Sequence, residues 1–245
     1  MNNIDLVIAY YKEDLDWLED YKNINFKNIY IYNKGPQEIP NINRSFIEIK
    51  LPNVGREGHT YLYHIITNYN NLSNITIFTT GSVSIPKKTQ QLKIIINKTI
   101  ETSNTVFWAP YIDTNIRDAH YNFTLEEYSS THINNIHSNN KLLLLSDIRP
   151  FGVWYDTFFQ NVIINRINYL GIFSVSKQHI LQHELSYYIK LINQFPNHFN
   201  PEVGHYFERS WIAIFHPIPE ICIFPQIEKF NKFINYYSNI YYIYA

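Results

Sequence analysis

Three short stretches of this chain carry residue types that can act together on a ligand. Gly55-Arg56-Glu57-Gly58 sets a guanidinium beside a carboxylate, between two glycines. Thr79-Thr80-Gly81-Ser82 ends an apolar run in hydroxyls and a glycine. Gly204-His205-Tyr206-Phe207-Glu208-Arg209 spaces an imidazole and a carboxylate three residues apart. A guanidinium grips phosphate through paired N–H donors. Hydroxyls both donate and accept, and a glycine lets the backbone approach a ligand closely. Positions i and i+3 share one face of a helix, so His205 and Glu208 can meet the same bound group. The first and third stretches also have structural readings. Arg56 pairs with Glu57, Glu208 pairs with Arg209 or caps its helix, and His205 is a structural histidine at a helix start.

Other charged residues read as structural. Asp14 and Asp16 suit the start of a helix. Lys87-Lys88 reads as a solvated charge pair, and Arg149 and Arg209 as members of structural ion pairs. His120, His132 and His137 have no tight ligand spacing and no cysteine nearby, which argues against zinc. Cys222 is the one cysteine and sits in an apolar run, as a buried strand residue would.

The elements that must position these residues follow from apolar patterning. Residues 4–9, 28–33, 46–49 and 75–78 read as strands, with a turn at Lys34-Gly35-Pro36. Residues 60–69 carry apolar positions at helical spacing, and 90–100 predict a further helix. Residues 111–140 are polar and irregular. Residues 142–145 read as a strand, 154–159 as an aromatic helix or loop, and 171–175 as a late strand. A helix is expected from Ser176 through Tyr188 towards Ile192, and another from Gly204 to near Phe215. The aromatic tail 236–245 is expected to pack on the body. Strand, helix, strand, strand, helix, strand is the rhythm of an α/β domain with a mostly parallel central sheet flanked by helices. Ligands bind beyond the carboxyl ends of such strands. That places Ala9, Tyr10, Tyr11, Asn33, residues 53–57 (Asn53, Gly55, Arg56 and Glu57 among them) and Thr79, Thr80, Gly81 and Ser82 around one crevice.

Composition narrows the class. The chain has 245 residues, 45% hydrophobic, 17% charged and 17% aromatic, which suits a globular protein. Abundant Asn, Ile, Lys and Tyr match AT-rich codon usage, so a lone Asn or Tyr says little about function. A formal net charge of −1 with scattered basic residues argues against nucleic-acid binding. No membrane span and no secretory start is seen, and a cytoplasmic protein is expected. The phosphate-binding Gly-Lys-Ser/Thr loop, the Gly-x-Gly-x-x-Gly turn and the Gly-x-Ser-x-Gly elbow are all missing, against a P-loop NTPase, a standard dinucleotide enzyme and an ordinary α/β hydrolase. No repeat or linker divides the chain.

The series DLVIAYYKEDLDWL, IYIYNKG, LPNVGREGHTYLYHII, GIFSVSKQHI and PEVGHYFERSWIAIF resembles a family of unknown function associated with large DNA viruses and fungi. That family in turn resembles a divergent branch of GT-A glycosyltransferases. The resemblance implies a single GT-A-like domain, about 1–85 forming a nucleotide-binding half and about 86–245 an acceptor half. It implies transfer of a sugar from a nucleotide-sugar donor to a carbohydrate or protein hydroxyl. Ala9, Tyr10 and Tyr11 would meet the nucleoside; Asn53, Gly55, Arg56 and Glu57 would face the donor. Glu208 would stand where an inverting enzyme keeps its base, with His205 assisting. Thr80, Gly81 and Ser82 would occupy the place of the metal-binding Asp-x-Asp. They contain no carboxylate, and hydroxyls alone are poor ligands for a divalent cation. The dependence on a cation is therefore open, with Arg56 a candidate replacement for its charge. The alternative is a non-catalytic carbohydrate-binding or structural protein that keeps the fold.

Overall fold

A computed structural model describes residues 3–126 and 143–225. Its centre is a five-stranded sheet in the order β3-β2-β1-β4-β6. β1 (Ile4–Tyr10) lies in the middle with every residue buried. It pairs in parallel with β2 (Asn28–Asn33) and with β4 (Ile75–Thr80). β3 (Ile47–Lys50) extends the parallel run at one edge. β6 (Phe173–Ser176) closes the other edge antiparallel to β4. A strand covered on both faces is mostly apolar, and β1 is apolar except for Asp5, which accepts from the Asn28 side-chain amide at 2.9 Å.

The pleat divides the core in two. Val7 and Ala9 of β1 and Phe78 of β4 join one cluster with Tyr61, Leu62 and Ile65 of α1 (Arg56–Asn68). Phe151 and Trp154 of α4 (Phe151–Phe158) and Phe207 and Trp211 of α7 (Glu202–Ile214) complete that layer. Leu6, Ile8 and Tyr10 point the other way, to Leu92, Ile95 and Ile96 of α2 (Pro86–Thr102) and to Trp17 and Leu18 of a 3₁₀ turn. Successive side chains of a strand face opposite sides, so one run of residues feeds both layers. Proline at the start of α2 suits a first helical turn, whose N–H has no intrahelical partner.

The smaller elements are β5 (Phe107–Trp108), α3 (Thr114–Tyr121), α5 (Lys177–Ile180), α6 (Leu185–Ile192) and β7 (Ile223–Phe224). Several depart from the sequence expectation. The single helix expected from Ser176 to Ile192 is two, and tyrosine hydroxyls take carbonyls on the α5 side of the break. The Tyr69 hydroxyl donates to the carbonyl of His183, and the Tyr188 hydroxyl to that of Ile180. The strand expected at 142–145 is one isolated bridge between Leu144 and Pro201. Cys222 is buried as expected, in a 3₁₀ turn immediately before β7. The polar middle contains α3, whose N-cap Asp113 accepts from the Ile116 N–H at 2.9 Å. His132, His137 and the tail 236–245 lie outside the described residues. Among the described residues, no helix is long and apolar enough to cross a membrane.

Candidate functional site

Parallel pairing puts the carboxyl ends of β1, β2 and β4 at one pole. The tip after β4 is tied down there. The Gly81 N–H donates to the Ala9 carbonyl at 2.8 Å, and Trp17 Nε1 donates to the Gly81 carbonyl at 3.0 Å. Thr80 Oγ1 and Ser82 Oγ lie 3.2 Å apart. Lys88 Nζ donates to both, at 2.9 and 2.8 Å. The Lys87-Lys88 pair is thus divided: Lys87 is exposed, while Lys88 reaches back from the first turn of α2 onto the tip. Burial lowers its amine pKa, and the charges of Glu57 and Glu208 oppose that shift. Among the described residues no carboxylate forms an ion pair with it. The sequence signal for Lys88 is its place in a helix that starts at Pro86, directly after the tip.

The second wall is the start of α1. Gly55 (φ 63°) and Arg56 (φ 53°) are both left-handed. Glycine takes that conformation freely; for arginine it costs about 1–2 kcal/mol. A side chain at Gly55 would also strike the ring of Phe195, 2.5 Å from the Cβ position. The strained turn is held from outside. Lys34 Nζ donates to the carbonyls of Val54 and Arg56, and the Gly55 N–H donates to the His198 carbonyl at 2.8 Å. Burial pushes the Lys34 pKa down to about 8, against the pull of Glu57. The sequence shows Lys34 only as part of a turn.

Arg56 Nη1 lies 2.9 Å from His205 Nε2 and 3.4 Å from Asn200 Oδ1, and Arg56 Nε lies 3.6 Å from Glu57 Oε2. A guanidinium can only donate, so His205 Nε2 is the acceptor and its proton sits on Nδ1. Burial, then Arg56 and Arg209, hold the His205 pKa well below its ordinary value. The neutral ring braces Arg56. Glu57 is nearly enclosed, at 11% side-chain exposure. Burial raises its pKa, but Arg56, Lys88 and Lys34 together hold it below the usual carboxylate range.

Glu208 enters from α7. Its Oε1 accepts the Leu170 N–H at 2.9 Å. Leu170 (φ 70°) and Gly171 (φ 64°) form a second left-handed pair, just ahead of β6. A Cβ on Gly171 would stand 3.1 Å from Glu57 Cγ, so this turn touches both carboxylates of the site. Glu208 is partly exposed, and its Oε2 has no protein partner among the described residues. It does not pair with Arg209, which turns away to stack 3.7 Å from the Phe123 ring centre and to donate to the His205 carbonyl at 3.0 Å.

The remaining sequence candidates divide. The backbone N–H groups of Tyr11 and Lys12 donate to Glu13 Oε2 at 2.7 and 3.0 Å. That carboxylate lies against Gly81, 2.8 Å from where a Cβ would be. Tyr11 is exposed, whereas Ala9 and the Tyr10 ring are buried. Asn33 is buried and builds its own turn, accepting from the Gly35 N–H at 2.9 Å. Asn53 is exposed on the loop before α1. The structure therefore gathers Arg56, Glu57, Thr80, Gly81, Ser82 and Glu208, with His205 behind Arg56. It adds Lys88, Lys34 and Glu13. The described residues hold no cluster of three or more His, Cys, Asp or Glu fit to bind a metal ion. A concavity of about 300 Å³ at the amino end of β2 is remote from this pole, and its Arg44 guanidinium is spent on the carbonyls of Tyr21 and Ile24.

A family described as a protein of unknown function (DUF3431) matches residues 6–228. The chain belongs to that family. No curated protein matches this DUF3431 chain. Among solved structures, a CMP:2-keto-3-deoxy-manno-octonic acid synthetase complexed with CTP is similar at 9% identity. The similarity covers 74% of this chain and 76% of that one, with a TM-score of 0.32. So loose a likeness carries no functional argument for the DUF3431 site.

Proposed function

We propose that this chain is a glycosyltransferase that moves a sugar from a nucleotide-sugar donor to a carbohydrate or protein hydroxyl. The observation that carries the reading is Glu208. One oxygen is fixed by the Leu170 N–H and the other is open, on a pole that also presents Arg56 and a hydroxyl tip. Ligands of parallel α/β sheets bind at that pole. In the proposed step Glu208 Oε2 takes the proton of the acceptor hydroxyl. The acceptor oxygen forms a bond to the sugar C1 as the bond from C1 to the diphosphate oxygen breaks. The electron pair leaves with the diphosphate, and the cationic side of the site meets its charge. Residues of about 1–85 would serve the donor, and those of about 86–245, with Glu208, the acceptor.

A non-catalytic carbohydrate-binding protein would need exposed rings on which sugars stack. Among the described residues Tyr11 and Tyr111 are the exposed aromatics, which is little surface for that purpose. The test is a thermal-shift screen against nucleotide sugars, followed by an assay for sugar transfer to the acceptor. The expected result is a raised Tm with one donor, since a ligand of the folded state stabilises by mass action. Stabilisation by free glycans and by no nucleotide sugar would replace the enzyme with the binding protein.

A further inference from the structure

We propose that Lys88 supplies the charge that a divalent cation would supply at this tip, so that the site binds a diphosphate without metal. The inference rests on the donor-site reading above. It starts from a misfit between the tip and a metal. A hard divalent cation needs several oxygen ligands, preferably anionic. The tip offers two neutral hydroxyls, and an ammonium already sits 2.9 Å from one and 2.8 Å from the other. A divalent ion placed on the same oxygens would meet that positive charge at contact distance.

The donor count supports an anion instead. An ammonium has three N–H donors and no acceptor. Two of them are spent on Thr80 and Ser82, and the third has no protein acceptor among the described residues. Because Lys88 donates to both hydroxyls, their own protons are directed elsewhere. At 3.2 Å one hydroxyl can donate to the other, which leaves one O–H to point outward. The triangle therefore offers an ammonium N–H and a hydroxyl O–H to one external oxygen. The positive end of α2 lies behind it, where a helix start favours negative charge. Burial lowers the Lys88 pKa, and the neighbouring carboxylates Glu57, Glu208 and Glu13 pull it the other way, towards the ammonium, without pairing with it. Two phosphate oxygens then have separate cations to meet, Lys88 on the β4 side and Arg56 on the α1 side.

The test is calorimetric titration with inorganic pyrophosphate, UDP, GDP, UDP-glucose and GDP-mannose, in EDTA and again in Mn²⁺. Wild type, Lys88→Met and Thr80→Val are compared. Wild type is expected to bind pyrophosphate or a diphosphate in EDTA, with Mn²⁺ changing Kd by less than about threefold. Lys88→Met is expected to weaken binding about 10- to 100-fold, the scale of a lost charge-assisted hydrogen bond. Thr80→Val, which leaves Lys88 less well aimed, is expected to weaken it less. Should Lys88→Met fail to fold, the wild-type metal comparison and Thr80→Val still decide. Binding only in Mn²⁺, equal binding by Lys88→Met, or no binding of any probe overturns the proposal. Metal-dependent binding of a nucleotide sugar would leave the transferase reading standing while Lys88 falls. Lys88-dependent pyrophosphate binding with no nucleotide sugar accepted would do the reverse.

Discussion

Glu202 and Glu208 ride on the same helix, α7, in opposite circumstances. Glu202 is fully buried and fully used. Its Oε1 accepts from the Leu125 N–H at 2.8 Å; its Oε2 accepts from the Ser146 N–H at 2.9 Å and meets Arg149 Nε at 2.9 Å. It staples two loop segments and an arginine onto the helix. Glu208 spends one oxygen on Leu170 and leaves the other unengaged, within the electrostatic reach of Lys88. A fully buried carboxylate with both oxygens engaged by protein donors is closed to a ligand. One anchored through a single oxygen is oriented and still available. Burial and charge do not by themselves single out a candidate site residue; an unfilled acceptor held in a fixed direction is the more specific feature.

Glu208→Gln strikes the open carboxylate and should give the largest effect. The amide oxygen can still accept from Leu170, so Tm should move little. The loss of a general base should lower turnover by about 10²- to 10⁴-fold. Turnover assays beside a melting curve check this. Unchanged turnover would remove Glu208 from the mechanism and collapse the comparison. Glu202→Gln strikes the closed one. Several donors would then compete for one amide oxygen, leaving a buried N–H facing an NH₂ group. The expected loss is about 3 kcal/mol of stability, or roughly a 10 °C fall in Tm for a chain of this size. Chemical denaturation of the variant measures it directly, and a stable Glu202→Gln would show that the staple is dispensable.

The same contrast explains how much could be read from the sequence. β2 appears where its run places it, because a strand covered on both faces reads as a mostly apolar run; β1 and β4 extend beyond theirs by one and two residues, those of β4 being the buried hydroxyls Thr79 and Thr80. The loop, helix and tip that carry Arg56, Glu57, Thr80 and Ser82 were legible for the same reason. Lys88 was not, because a Lys-Lys pair at a helix start is normally solvated; only the fold-back of α2 onto β4 reveals its partners. The partner of Glu208 is a backbone N–H at Leu170, a group every residue has, so no residue type could announce it. At the break between α5 and α6 one carbonyl is taken by Tyr69 from another segment and one by Tyr188 of α6, side-chain bonds that apolar periodicity does not register.

Acidity sharpens the contrast between buried groups kept neutral and site groups kept charged. His64 pairs with the Tyr32 hydroxyl at 2.8 Å, and burial pushes its pKa down to about 3. An unfolded histidine takes up its proton near pH 6.5. Below that pH the unfolded chain binds the proton and the folded chain does not, so stability falls as pH drops from about 6.5 towards 3. His64 alone should cost about 2 kcal/mol by pH 5. Denaturation curves at stepped pH should show this slope, and His64→Gln should flatten it whatever it does to stability at neutral pH. An unaltered slope would place the acid sensitivity in other groups.

The smallest expected effect tests what holds Glu208 in direction. Leu170 and Ser103 are both non-glycine residues in the left-handed region, at φ 70° and 54°. Ser103 follows α2, where glycine is the common residue. Ser103→Gly should relieve strain, change stability by no more than about 1 kcal/mol, and leave turnover alone. Leu170→Gly relieves the same strain but frees the turn that aims an N–H at Glu208. Its stability should also stay within about 1 kcal/mol, because relief is offset by the greater freedom of the unfolded chain and the lost leucine packing. Its turnover, however, should fall, by about tenfold or less, as the carboxylate loses its fixed direction. If the two variants behave alike in both assays, the left-handed pair before β6 is only a turn. In that case Glu208 is oriented by α7 itself.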